Sequence, residues 1–193
     1  MERVAIRYHR RNRRLKLRLI LEMVNRRSVE SVLLIGVTPS DPRTRSWANL
    51  VEQGIVDRVT FSVTSGLEAQ AGSWPNYLAC NGLNLPFRDK SFDLVVSNAV
   101  IEHVGGENHQ KRFVAEHDRV GQSWIITTPN RWFPVESHTR TLLLHWLPFW
   151  RLRQQGFTRL LSRGEFGALL PSGAGMVGRL LAPTFVATSR GLL

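Results

Sequence analysis

The run Phe92-Asp-Leu-Val-Val-Ser97 constrains this chain most. It is a short, nearly continuous apolar stretch rich in valine that stops at a small polar residue. Strands that alternate apolar and polar residues face water on one side, whereas continuous runs are covered on both faces, the habit of parallel sheets. Ser31-Val-Leu-Leu-Ile-Gly36 reads the same way, as does Gln122 to Thr128 around Trp124-Ile-Ile126, which is stopped by Pro129. Weaker strands fit Val59–Val63, Tyr77–Cys80, Met176–Leu181 and Thr184–Thr188. Helices fit Arg43–Gln53, ended by Gly54, and Glu107–Val120, with Phe113, Val114 and His117 on one side. A further helix fits Ser162–Leu170, where Ser162 followed by Glu165 has capping-box spacing. Thr141–Gln155 reads as helical in part, broken at Pro148. The alternation predicts an α/β fold: a doubly wound, mostly parallel seven-stranded sheet with an antiparallel C-terminal edge. In such sheets ligands sit beyond the carboxyl ends of the strands, where strand order reverses. The segments after Gly36, Val63, Cys80, Ser97 and Thr128 are therefore the ones to watch.

The 193 residues suffice for one domain. The net charge of +11 is local, because residues 1–27 hold ten basic side chains against two acidic ones, an excess of +8 that leaves +3 elsewhere. Arg3, Arg7, Arg10, Arg14 and Arg18 recur at helical spacing, and Leu17, Ile20, Leu21 and Val24 form an apolar stripe. Residues 1–27 therefore read as a basic amphipathic helix, and 28–193 as a single domain in which 130–170 forms a cap. The cationic face is either a solvated surface or a contact for lipid headgroups or nucleic-acid phosphate, the last less expected. Cys80 stands alone, which excludes an internal disulfide framework and a multi-cysteine zinc site. No apolar run reaches the ~20 residues of a membrane span, and the basic N-terminus lacks the apolar segment of a secretory signal. The expected location is cytoplasmic, with association to the inner membrane face as an extension of the charge argument.

Three linked stretches carry more information: Asn81-Gly-Leu-Asn-Leu-Pro-Phe87, Ser91-Phe-Asp-Leu-Val-Val-Ser-Asn-Ala-Val-Ile-Glu-His-Val104 and Ile126-Thr-Thr-Pro-Asn-Arg-Trp-Phe-Pro134. In order and spacing they resemble small bacterial class I S-adenosylmethionine (SAM)-dependent methyltransferases of the type 11 kind, over roughly residues 10–190. The resemblance implies a Rossmann-like methyltransferase fold with SAM as cofactor. It places Gly36 and Thr38 in the first loop beside the methionine part of the cofactor. Asn81 stands where the family has an adenine-side acid, with Gly82 and Leu83 beside it, and Ser97, Asn98 and Ala99 flank the sulfonium. Asn130, Arg131 and Trp132 begin the wall of the acceptor pocket, within the acceptor-side cap of 130–170.

The cofactor motifs are degenerate. Leu34 stands where the first strand usually ends in an acid, and Thr64-Ser-Gly66 offers no carboxylate for the ribose. Asp41 and Glu68 are the nearest substitutes. If the missing acid alone limits binding, Leu34→Asp restores it. Methyl transfer to an O–H or N–H acceptor needs proton removal, for which His103 and His138 are the candidate bases. His109 and His117 share a helical face, but without cysteines or clustered carboxylates no metal site is expected. Trp132, Phe133, Trp146, Phe149 and Trp150 form either a helical cap or a lid over an apolar acceptor. The expected function is a SAM-dependent methyltransferase with an undetermined small-molecule or lipid-linked acceptor. The alternative is a catalytically inactive methyltransferase fold serving as a binding or scaffold protein, associated with an anionic membrane surface.

Overall fold

Among the described residues, seven segments pair into one sheet. They are β1 (Ser31–Ile35), β2 (Phe61–Gly66), β3 (Tyr77–Ala79), β4 (Phe92–Asn98), β5 (Gly121–Pro129), β6 (Gly175–Val177) and β7 (Thr184–Thr188). Their order across the sheet is β3-β2-β1-β4-β5-β7-β6. The computed structural model describes residues 2–26, 28–37, 49–66, 74, 76–135, 143, 146–147, 149 and 158–192. β1 pairs in parallel with both β2 and β4, so strand order reverses there and a crevice opens above its carboxyl end. β5 extends the parallel set from β4. The C-terminal edge is antiparallel, as expected. β7 runs against both β5 and β6, so β6 at the outer edge points the same way as β1 to β5.

Continuous apolar strands are covered on both faces because successive side chains point to opposite sides. Val32, Leu34, Leu94, Val96, Ile125 and Val186 pack with Ile20, Met23 and Val24 of α1 (Glu2–Arg26) and Val51 and Ile55 of α2 (Leu50–Val56). Leu33, Ile35, Val95, Trp124, Ile126 and Phe185 pack on the other side, against Phe113 and Val114 of α3 (Glu107–Val120) and Phe166 of α4 (Arg163–Leu169). The basic N-terminal helix is thus half core. Arg11, Arg14 and Arg18 are exposed while Ile20, Met23 and Val24 are buried. No helix among the described residues is long and apolar enough to cross a membrane.

Three elements differ by more than one residue from the sequence expectation, the first being β2, which runs Phe61–Gly66 where Val59–Val63 was expected. Gly54 lies inside α2 rather than ending it, because α1 presses on that face: a Cβ at Gly54 would sit 2.7 Å from Leu17 Cδ1. Residues 43–48 of the expected helix lie outside the described residues. β6 covers only Gly175–Val177 of the expected 176–181 strand, and Gly178 then turns with φ +124°. α4 keeps its expected cap, with Ser162 Oγ accepting from Glu165 N at 3.3 Å and Glu165 Oε2 from Ser162 N at 2.9 Å.

Candidate active site

The crevice at the switch point is a cleft of about 710 Å³. That is within the range of small-molecule and cofactor sites. Its floor is the β1 turn. Ser65 O accepts from Gly36 N at 2.8 Å and Val37 N at 3.0 Å, tying the β1 turn to the end of β2. Gly36 has φ +74°, and a Cβ there would lie 2.5 Å from Val100 Cγ2. Only glycine meets both demands, so bare backbone is presented to whatever enters. Opposite, Ala99 at the β4 tip holds φ +58°, a region costly for a residue with a Cβ. Its N–H donates to Thr127 O at 3.0 Å.

The far end of the cleft is built by the loop after β3. Asn81 Oδ1 accepts from Leu83 N at 2.9 Å, closing a local turn. Beside it a Cβ on Gly82 would sit 2.9 Å from Phe113 Cε2. The Leu85-Pro-Phe87 segment fastens this loop to α3. Arg119 donates to Leu85 O at 2.9 Å and Phe87 O at 2.8 Å, and Glu116 Oε2 accepts from Leu85 N at 2.7 Å. The same guanidinium pairs with Glu116 and Asp89, at 2.8 and 2.9 Å. A run that reads as a recognition motif is thus, in its contacts, the anchor of the loop carrying Asn81 and Gly82.

Of the residues named from sequence for the cofactor, Gly36, Asn81, Gly82 and Ala99 line the cleft together with His103. The strand pleat turns others elsewhere. Ser97 is buried beneath the sheet against α3, where its hydroxyl meets His117 Nε2 at 3.0 Å. His117 Nδ1 donates to Phe113 O at 2.8 Å, so Nε2 is the acceptor in that pair. Burial pushes the His117 pKa down to about 4 and keeps the ring neutral. Asn98 faces α1 and α2 and bonds Lys16, Thr127 and Glu52. Leu83 packs partly buried on the α3-side core. Leu34 is 1% exposed in the apolar layer under α1 and α2. Aspartate at that position would enter this layer rather than the cleft, and the expected rescue by Leu34→Asp loses its basis. Thr38, Asp41, Glu68 and His138 lie outside the described residues.

On the acceptor side, His103 ends a 3-10 turn (Ile101–His103) at the rim of the cleft, exposed, with Nδ1 3.4 Å from Thr158 Oγ1. Asn130 has its carboxamide committed to the protein: Nδ2 donates to Leu180 O at 2.7 Å and Ala182 O at 2.8 Å, and Oδ1 accepts from Trp132 N at 2.9 Å. Arg131 bonds Leu160 O and pairs with Glu165 Oε2 at 2.8 Å, joining the end of β5 to α4. Trp132 stands 38% exposed, edge-on to Trp146 with ring centroids 6.4 Å apart. None of these three lines the cleft described above. Sequence reasoning passed over Ser65, Gly66, Ala79, Cys80, Val100, Val104 and Phe113, all of which do. For Ser65, Gly66, Ala79, Cys80 and Val100 the only sequence signal was position at or just past strand ends, whereas Val104 follows the 3-10 turn and Phe113 comes from the apolar face of α3. Burial raises the Cys80 thiol pKa, so it contributes a neutral wall. No carboxylate stands among the described lining residues.

Comparison with known proteins fits this geometry. A family model described as "Methyltransferase domain" matches residues 49–123, from the start of α2 into β5. Proteins named probable tRNA methyltransferase 9B, from Bos taurus and Homo sapiens, are 35% identical over 68 residues. That stretch is 31% of this chain, and the chain spans only 15% of the length of those relatives. The N-methyltransferase NodS from Bradyrhizobium japonicum superposes with TM-score 0.58 at 10% identity, over 92% of this chain and 94% of that one. A SAM-dependent methyltransferase from Methanosarcina mazei gives TM-score 0.53 at 13% identity, over 84% of this chain and 92% of that one. The matched domain spans the β4 tip and α3, and the sheet order and cleft around it are those of the fold that these methyltransferase structures share.

Proposed function

We propose that this protein is a SAM-dependent methyltransferase. The observation that carries the reading is the 710 Å³ cleft over the carboxyl ends of β1, β2 and β4, floored by Gly36 and Gly82, where a Cβ would collide with Val100 and Phe113. Bare backbone at both ends and apolar walls between them suit a flat adenosyl group and a small charged tail. The Gly36–Val37 turn would hold the methionine end, Asn81 and Gly82 the adenine, and Ala99 and Val100 the wall by the sulfur. SAM, when bound, supplies an electrophilic methyl group on a sulfonium. The protein's own part is alignment of the acceptor and removal of its proton, the second assigned to His103 at the rim. Calorimetry with S-adenosylhomocysteine tests the reading directly. Saturable heat with one site per chain supports it. Absence of heat at millimolar ligand supports the inactive scaffold instead, a reading favoured by Leu34 in the apolar core and by a cleft whose described lining has no carboxylate.

The acceptor is open between two phosphate-bearing classes. A lipid-linked acceptor at an anionic membrane surface is supported by α1, where Leu15 is 53% exposed among the exposed Arg11, Arg14 and Arg18, and by the exposed Trp132 and Trp146. RNA is supported by the likeness to the tRNA methyltransferase 9B proteins. Cosedimentation with anionic vesicles and filter binding with tRNA, each across a salt series, separate the two.

A further inference from the structure

Below the cleft lies a polar cluster that the proposed chemistry does not use. Lys16 sits on the inward side of α1, 9% exposed, with Nζ donating to Asn98 Oδ1 at 2.6 Å. Thr127 Oγ1 donates to the same oxygen at 2.9 Å, and Asn98 Nδ2 donates to Glu52 Oε1 at 2.6 Å. One carboxamide thus joins α1, α2, β4 and β5. The residue after it is Ala99, whose left-handed backbone forms the cleft wall. A strained turn persists only where its surroundings over-determine it. Here Thr127 receives the Ala99 N–H, on O at 3.0 Å and on Oγ1 at 3.2 Å, and also donates to Asn98.

We propose that Lys16 is a positioning residue for the cleft: from the N-terminal helix its ammonium fixes Asn98, and through Asn98 and Thr127 it fixes the Ala99 turn against which the ligand rests. The inference builds on the reading of the cleft as the SAM site and makes α1 a working part of that site. A buried ammonium is retained only where fixed acceptors and opposite charges surround it. Asn98 supplies the acceptor, and Glu52 of α2 and Glu102 of the 3-10 turn supply negative charge, while Arg13 one turn earlier on α1 opposes it. Burial lowers the Lys16 pKa to about 8, so its charge changes within an experimentally accessible range.

The test compares wild type, Lys16→Met and Lys16→Gln by calorimetry with S-adenosylhomocysteine from pH 7 to 10, together with hydrogen exchange at the Ala99 amide. Loss of a charge-assisted bond predicts about tenfold weaker binding by Lys16→Met at pH 7. The ratio of wild-type to Lys16→Met affinity should fall towards one as pH rises through the titration, a comparison that cancels the titration of the ligand's own amino group. Lys16→Gln, a neutral donor to Asn98, should recover part of the affinity, at a ratio to Lys16→Met that does not change with pH. In Lys16→Met the Ala99 amide should exchange about tenfold faster than in wild type, the same loss read at the turn itself. Equal affinities with one shared pH profile, or an unchanged Ala99 exchange rate in the folded variants, overturn the proposal. If wild type binds no S-adenosylhomocysteine, the cofactor reading fails, and the exchange rate still decides whether Lys16 holds the turn.

Discussion

Two residues show how tightly the cleft's own backbone and its support are specified. Gly36 is held at φ +74° with Val100 closing the space where a Cβ would go. Gly36→Ala should therefore cost about 1–2 kcal/mol of stability from the backbone conformation alone. The shift of Val100 into the cleft should weaken S-adenosylhomocysteine binding by at least about tenfold, since each tenfold corresponds to ~1.4 kcal/mol. Urea denaturation and calorimetry on the same variant measure the two effects separately. His117 acts through protonation. Burial depresses its folded pKa to about 4, against an ordinary value of 6.5. In that window the unfolded chain binds the proton more readily, so stability is full above about pH 6.5 and falls as pH drops towards 4. The difference corresponds to about 3 kcal/mol. Urea midpoints from pH 7 to 4 should show the fall, and His117→Gln should flatten the part of the curve that belongs to this ring.

Among the elements, the loop after β3 depends most on borrowed support. It has little regular structure, and its carbonyls at Leu85 and Phe87 are received by Arg119 of α3. Arg119 is itself held by Glu116 and Asp89. These side chains are partly solvated, which reduces the worth of each ion pair, but the bonds to backbone carbonyls have no ready replacement. Arg119→Met should lower stability by about 1–2 kcal/mol and loosen the loop that carries Asn81 and Gly82. Hydrogen exchange at Leu83 and Leu85 should accelerate in the variant, with S-adenosylhomocysteine affinity reduced. Unchanged exchange at both amides would show that the loop stands without Arg119. α1 is the reverse case. Its apolar stripe already named Ile20 and Val24, which lie in the core with Met23, but nothing in the charge pattern shows that Lys16 reaches the β4 tip.

For the whole molecule, a ligand seated between elements from both halves of the sheet should stabilise all of it. S-adenosylhomocysteine at about 100 times its dissociation constant should add about 2.7 kcal/mol, a rise in Tm of about 5–10 °C for a chain of this size. A scanning fluorimetry titration without any such shift would argue against one cleft joining the strand tips. Much of this architecture was legible in the chain itself. The uninterrupted apolar runs at Ser31–Gly36 and Phe92–Ser97 declare strands covered on both sides, and their spacing leaves room for crossover helices. The capping box at Ser162 and Glu165 needs only local hydrogen bonds, so it too was visible. The linked stretches from Asn81 to Pro134 located the cleft's neighbourhood. What the sequence could not show was which way each strand-tip residue turns. Asn81, Gly82 and Ala99 reach the cleft, whereas Ser97 and Asn98, from the same run, face α3 on one side and α1 and α2 on the other. Strand pleat and the helices pressing on each face settle that choice, and both are long-range facts. Periodicity and local capping belong to neighbouring residues and survive in one dimension. The pairing of Lys16 with Asn98, 82 positions apart, arises only when α1 packs against the sheet beside the β4 tip.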